Sequence, residues 1–113
     1  MRFHRVAAAA QLAEGHAVAV DVEGRPILLV RSEDKIYALD NLCPHAGSRL
    51  DKGRIVKGAV TCPLHGGRFD LATGKCKTLQ LGDILPIVTH AVQVVDDHIE
   101  VALVDAPMAE PQI

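Results

Sequence analysis

With 113 residues, 12 Lys or Arg against 14 Asp or Glu and a net charge of −2, the chain is one domain's worth of sequence without the positive excess a nucleic acid would call for. No apolar run approaches the ~20 residues of a membrane span. Three cysteines are too few for a disulfide scaffold, and the Ala7–Ala10 run, broken by Gln11 and Glu14, makes a poor signal peptide, so a cytoplasmic protein that touches no membrane is expected.

Residues 1–8 set Phe3 and Arg5 against Val6, which predicts a short strand, and Ala9–Glu14 allows a helical turn at most. His16–Val22 alternates Ala17 and Ala19 against Val18, Val20 and Val22, and the turn pair Glu23-Gly24 leads into Arg25–Arg31. Inside that stretch Ile27-Leu28-Leu29-Val30 is apolar enough for a strand buried on both faces. After a polar turn at Ser32-Glu33-Asp34, Lys35–Leu39 returns as another strand. A meander of about ten-residue spacing is the rhythm of an antiparallel sandwich or barrel. His4 and His16 read as solvated strand residues rather than ligands.

From Asp40 to about Gly82 the composition changes to Gly, Cys, His, Lys and Arg. Within it, Arg54–Thr61 reads as a hairpin turning at Lys57-Gly58, and Phe69–Gly74 as a short strand entering a turn. Lys52, Arg54, Lys57, Arg68, Lys75 and Lys77 make the segment basic against an acidic remainder. That is either a solvated loop surface or a docking rim for an acidic partner. Val88–Val95 and His98–Val104, joined by Asp96-Asp97, form a last hairpin that returns to the first sheet, with His90 and His98 structural. Residues 105–113, with two Pro and no periodicity, read as a loose tail. The expectation is one all-β domain over 1–113. Its base is 1–39 and 83–104, its inserted subdomain is about 40–82, and its tail is 105–113.

The chemistry sits in that insertion. Cys43-Pro44-His45 and, sixteen residues later, Cys62-Pro63-Leu64-His65-Gly66 each offer one thiolate and one imidazole at short spacing, a pattern that suits a metal. Pro44 and Pro63 stiffen the two loops, while Gly47, Gly66 and Gly67 permit positive φ and close approach of backbone N–H groups. Zinc also takes two Cys and two His, but zinc fingers pair Cys with Cys in one arm and His with His in the other. A Cys–His hydrolase would leave one arm redundant, with no Asn or Asp standing out as orienter. A Cys43–Cys62 disulfide would leave both histidines unexplained. Cys76, outside both arms, reads as a spare thiol.

The segments CPHAGSRL and CPLHGGRFDLATG resemble the two cluster-binding boxes of the Rieske iron–sulfur family. The likeness covers the four candidate ligands, Gly66, Phe69-Asp70 and Thr73-Gly74, and extends more weakly from about Val20 to Val104. It implies a Rieske-like antiparallel sandwich or barrel with an inserted cluster-binding subdomain, and one 2Fe–2S cluster of Cys2His2 ligation. Cys43 and Cys62 would bind one iron, and His45 and His65 the other. Leu79–Ile87, which contains Pro86, would lean over the cluster. Two ferric ions, two sulfides and two thiolates sum to no net charge, whereas an all-thiolate cluster carries two more negative charges and accepts an electron less readily.

High-potential members of that family carry a loop-to-loop disulfide and Ser and Tyr hydroxyls near the cluster. The corresponding positions are Ser48 and Leu64 for the bridge, and Gly67 and Phe69 for the hydroxyls, so a low-potential centre is implied. The role implied is a ferredoxin rather than an enzyme. It would carry single electrons from a flavin-dependent ferredoxin reductase to a terminal oxygenase of aromatic-ring hydroxylation, as in aromatic hydrocarbon catabolism. Nothing in the chain could supply an oxygenase's second iron site of two His and a carboxylate. The alternatives are the small subunit of an assimilatory nitrite reductase and a structural zinc module.

Overall fold

The structure, a computed structural model, describes residues 2–43, 49–63, 66–77 and 86–104. Its strands are β1 (Phe3–Ala8), β2 (Ala17–Val22), β3 (Arg25–Ser32), β4 (Lys35–Asp40), β5 (Ile55–Val56), β6 (Ala59–Thr61), β7 (Arg68–Asp70), β8 (Thr89–Val95) and β9 (His98–Ala102). The predicted helical turn is a short 3-10 turn at Ala9–Gln11. Six strands form one antiparallel sheet in the order β1-β9-β8-β4-β3-β2, and β5-β6-β7 form a smaller one. The edge strands β1 and β2 approach each other, so the large sheet nearly closes into a barrel. The last hairpin does return to the first sheet, as expected, and lies between β4 and β1.

Three two-residue turns set the registers of this sheet. Val22 pairs with Arg25, Ser32 with Lys35 and Val95 with His98. The turn residues between them all have positive φ: Glu23 and Gly24, Glu33 and Asp34, Asp96 and Asp97. That is the type I′ geometry whose twist matches the flanking strands. Side-chain residues pay a conformational penalty there, and at one turn a neighbour offsets it. The Glu14 carboxylate accepts hydrogen bonds from the backbone N–H of Glu33 at 2.7 Å and of Asp34 at 3.0 Å. These two bonds, that from Asp34 the larger, hold the Glu14 carboxyl below its ordinary pKa. Ser32 lies in β3 rather than in the turn, and its buried Oγ accepts from the Gly58 N–H at 3.0 Å, tying the small sheet to the large one.

The uninterrupted apolar run in β3 has the two-faced burial expected of it. Ile27 and Leu29 enter a cluster with Leu12, Val22, Ala38, Ile99 and Val101. Leu28 and Val30 point the other way, into a cluster with Leu39, Cys43, Leu50, Val60, Cys62, Phe69, Leu71 and Ile87. All four residues of the run are fully buried. Because side chains alternate along a strand, β3 is the common wall of two cores. One is the barrel interior; the other lies against the small sheet and contains both box cysteines.

Of the histidines, His16 is exposed, its Nδ1 3.1 Å from the Glu14 carbonyl. His4 is not merely solvated. It is half-buried on β1 with Nε2 2.8 Å from Glu23 Oε2. His98 sits at a turn with Nδ1 2.9 Å from the Asp96 carbonyl.

Candidate metal centre

The first cysteine loop leaves the end of β4. Asp40 N–H donates to the Val88 carbonyl at 2.9 Å and Asn41 N–H to the Pro26 carbonyl at 3.0 Å, so the loop starts from an anchored backbone. Cys43 follows, fully buried, and Leu50, also fully buried, ends the loop. Asn41 joins the two ends. Its Oδ1 accepts from Leu50 N–H at 2.7 Å and from Asp51 N–H at 3.1 Å, and its side chain has no exposed surface. Nothing in the string Asp40-Asn41-Leu42-Cys43 marks that role, since Asn before a loop reads equally well as an ordinary turn former.

Behind Asn41 lies a second network. His90 is buried on β8, with Nε2 2.8 Å from Asp40 Oδ1. Its Nδ1 accepts from Val104 N–H at 3.0 Å, which places the ring proton on Nε2 facing the carboxylate. Arg25 donates to the same Asp40 oxygen at 3.0 Å and to the Val104 carbonyl at 3.2 Å. His90 is thus structural, as expected, and it braces the strand end from which Cys43 departs.

The second loop leaves β6 at Cys62, which is 1% exposed. Cys62 N–H donates to the Gly67 carbonyl at 2.8 Å, and Gly66 N–H returns to the Cys62 carbonyl at 2.9 Å. These two bonds close the loop, and Gly66 meets them with φ of 75°. Gly67, expected to share that conformation, does not; it is buried and immediately precedes β7. A later glycine is more constrained still. Gly74 has φ of 78°, accepts from Ile87 N–H at 2.8 Å, and a Cβ there would collide with the Ile87 carbonyl. That contact presses Ile87 into the core beside the cysteines.

The structure therefore brings Cys43 and Cys62 into one buried cluster, and none of the three cysteines is joined in a disulfide. His45 and His65, with Pro44, Gly47, Ser48, Leu64, most of the expected covering loop (78–85) and the tail 105–113, lie outside the described residues. Among the described residues no three metal-binding side chains converge. Two buried thiols from separately anchored loops suit a group that takes thiolates, because burial of a bare thiolate is costly and metal ligation removes that cost. The donor set fits an iron–sulfur cluster on that ground. Cys76 is less peripheral than expected: it is half-buried, bridges Phe69 and packs against the same cluster.

A family model described as the Rieske [2Fe-2S] domain matches residues 2–89. The chain belongs to the Rieske [2Fe-2S] family. It is 44% identical over 68 residues to the ferredoxin component of the naphthalene 1,2-dioxygenase system of Pseudomonas putida, covering 60% of this chain and 65% of that protein. The match thus spans just under two thirds of that curated relative. Among solved structures, it resembles the ferredoxin of carbazole 1,9a-dioxygenase from Nocardioides aromaticivorans IC177, with TM-score 0.83 and 39% identity over 90% of this chain and 98% of that one. It also matches a chain from a complex of reduced oxygenase and oxidized ferredoxin of carbazole 1,9a-dioxygenase, with TM-score 0.81 and 28% identity over 88% and 92% of the two chains. The Rieske fold is one of barrel plus small sheet here, and the all-β expectation holds.

Proposed function

We propose that this protein is a Rieske ferredoxin, carrying single electrons from a flavin-dependent ferredoxin reductase to a terminal, aromatic-ring-hydroxylating oxygenase. The observation that carries the reading is the burial of Cys43 and Cys62 in one core cluster between two sheets, in a chain of this family. The kinship with ferredoxin components of dioxygenase systems supports the choice of partners. When bound, a 2Fe–2S cluster supplies reversible one-electron chemistry. In this reading Cys43 and Cys62 hold one iron, and His45 and His65 the other. The chain's own residues do the rest: Asn41 and the bonds of Cys62 with Gly66 and Gly67 fix the loops, while Leu28, Val30, Phe69 and Ile87 exclude water from the thiolate side.

We assign the chain as one domain over 1–113, with a cluster-binding subdomain at about 40–82, a base of 1–39 and 83–104 and a tail of 105–113, acting in the cytoplasm. The potential lies low in the Rieske range of about −150 to +300 mV, because Gly67 and Phe69 present no hydroxyl to the cluster. The test is metal and sulfide analysis of the purified protein together with its reduced-state electron paramagnetic resonance spectrum. A red-brown protein with a mixed-ligand 2Fe–2S signal is expected; a colourless, zinc-loaded one would refute the assignment.

A further inference from the structure

The outer face of the small sheet carries a row of cations beside the second cysteine loop. Val60 pairs with Ile55 and Phe69, Cys76 bridges Phe69, and this row points into the core. The adjacent row must face outward. In it Thr61 N–H donates to the Arg54 carbonyl at 2.9 Å, Thr61 pairs with Arg68, and Lys77 N–H donates to the Arg68 carbonyl at 2.7 Å. Arg54, Arg68 and Lys77 therefore lie in one row across the sheet, with Thr61 between the first two, all three cations exposed, and Thr61 and Arg68 are the immediate neighbours of Cys62 and Gly67. Lys75, also exposed, lies two residues along on the same face.

Among the described residues the acidic counterweight on this face is Asp70. Its Oδ2 accepts from the N–H groups of Ala72 and Thr73, and its Oδ1 is 3.9 Å from Lys77 Nζ. Among the described residues, exposed cations outnumber acids on this face. The imbalance extends through the segment: residues 40–82 hold seven Lys or Arg and three Asp or Glu, against five and eleven in the rest of the chain. Apolar surface accompanies the charge, with Val56 38% exposed on the same sheet and Leu42 49% exposed beside Cys43.

We propose that this face docks an acidic surface of a protein that exchanges one electron with the cluster. The inference rests on the ferredoxin reading and adds the chemistry of the partner. An exposed basic row next to a ligand loop draws carboxylates toward the place where an electron leaves, and the acidic remainder orients the approach. The same remainder disfavours a nucleic acid or anionic membrane, whose extended charge would meet it as well.

The test uses the intact, cluster-loaded protein in stopped-flow reduction by flavodoxin hydroquinone, an acidic one-electron donor. Each event moves one electron from the flavin to the oxidised cluster. The second-order rate should fall about tenfold as ionic strength rises from ~0.01 to ~0.3 M. At low salt Arg54→Glu and Lys77→Glu should each slow the reaction about threefold and together about tenfold. Lys35→Glu, an equal charge change at the opposite end of β4 from the first cysteine loop, should leave the rate within about 1.5-fold. Should a Glu variant fail to hold its cluster, Arg54→Gln and Lys77→Gln should give smaller decreases of the same sign. Reduction of cytochrome c, a basic acceptor, should speed up in the same variants.

Equal effects of Arg54→Glu and Lys35→Glu would overturn the docking face while leaving the carrier role intact. Tight binding of duplex DNA or phosphatidylglycerol vesicles that the double variant abolishes would overturn the choice of partner. Absence of a 2Fe–2S cluster from the purified protein would instead remove the ferredoxin reading itself.

Discussion

The two cores on either side of β3 differ in what they are made of and in what they are for. The barrel interior is aliphatic: Leu12, Val22, Ile27, Leu29, Ala38, Ile99 and Val101 pack with no group that could bind anything. The other core uses the same wall but mixes Leu28, Val30 and Leu39 with two thiols and with residues delivered by loops. Strand pairing holds most of the first together, with a register shift in the β1–β9 pair between Arg5 and Ala7. The second depends on a short three-stranded sheet, a buried Asn and two glycines in left-handed conformations. The comparison teaches that the barrel rests on strand pairing between long neighbours, whereas the cysteine side rests on single contacts delivered by loops.

Neighbouring residues of one strand can separate the two. Leu28→Ala and Leu29→Ala remove the same atoms from fully buried sites, and each should cost about 2–5 kcal/mol. Their consequences should part. Leu29→Ala should lower the thermal midpoint and leave the visible spectrum unchanged, while Leu28→Ala should also speed iron loss to a chelator. Identical chelation rates would mean the two cores are one cooperative unit.

Gly74→Ala comes next. It forces a side chain into a positive-φ site against the Ile87 carbonyl, so the cost should be at least about 1–3 kcal/mol, read by denaturant unfolding and accompanied by faster cluster loss. Asn41→Ala leaves the buried Leu50 N–H without its acceptor, a loss of about 1–3 kcal/mol. Chelator-driven iron release should accelerate, and Asn41→Asp should not rescue it, because it sets a buried carboxylate against Asp51, whose Oδ1 accepts from Asn41 Nδ2 at 3.4 Å. Cys76→Ser should leave the spectrum unchanged, since the proposed ligand set does not include it; bleaching would bring Cys76 into that set.

The smallest effect belongs to the barrel side. Glu14 is ionised more readily in the folded protein than in the unfolded chain, so its contribution is present above the ordinary carboxylate pKa and disappears as pH falls through the lowered value. Glu14→Gln should flatten the acid limb of the stability curve slightly and leave cluster content untouched.

Much of the barrel was legible because its signals are local. Glu23-Gly24, Glu33-Asp34 and Asp96-Asp97 interrupt apolar runs at short intervals, and two-residue turns then determine register. The pairing of β1 with β9 was not legible, since it joins residues about a hundred apart and no local pattern encodes it. In the candidate metal centre, the cysteine arms announced themselves by chemistry and spacing. Their supports did not: Asn41 looks like a turn residue, and the ring that links Asp40 to Val104 lies fifty residues away on β8. Ser32, placed in a turn by its polarity, is held in β3 by a bond to a different sheet. Of the neighbours Gly66 and Gly67 only the first takes positive φ, and the two look equally permissive in sequence.

Pulsed electron paramagnetic resonance of the dithionite-reduced protein, with nitrogen-15 placed selectively in histidine, tests the ligand assignment most directly. The account predicts a 2Fe–2S signal coupled to two imidazole nitrogens, with one coupling lost or altered on replacing either His45 or His65 with Cys. A 2Fe–2S signal with no nitrogen coupling, or a protein that holds zinc in its place, would contradict it.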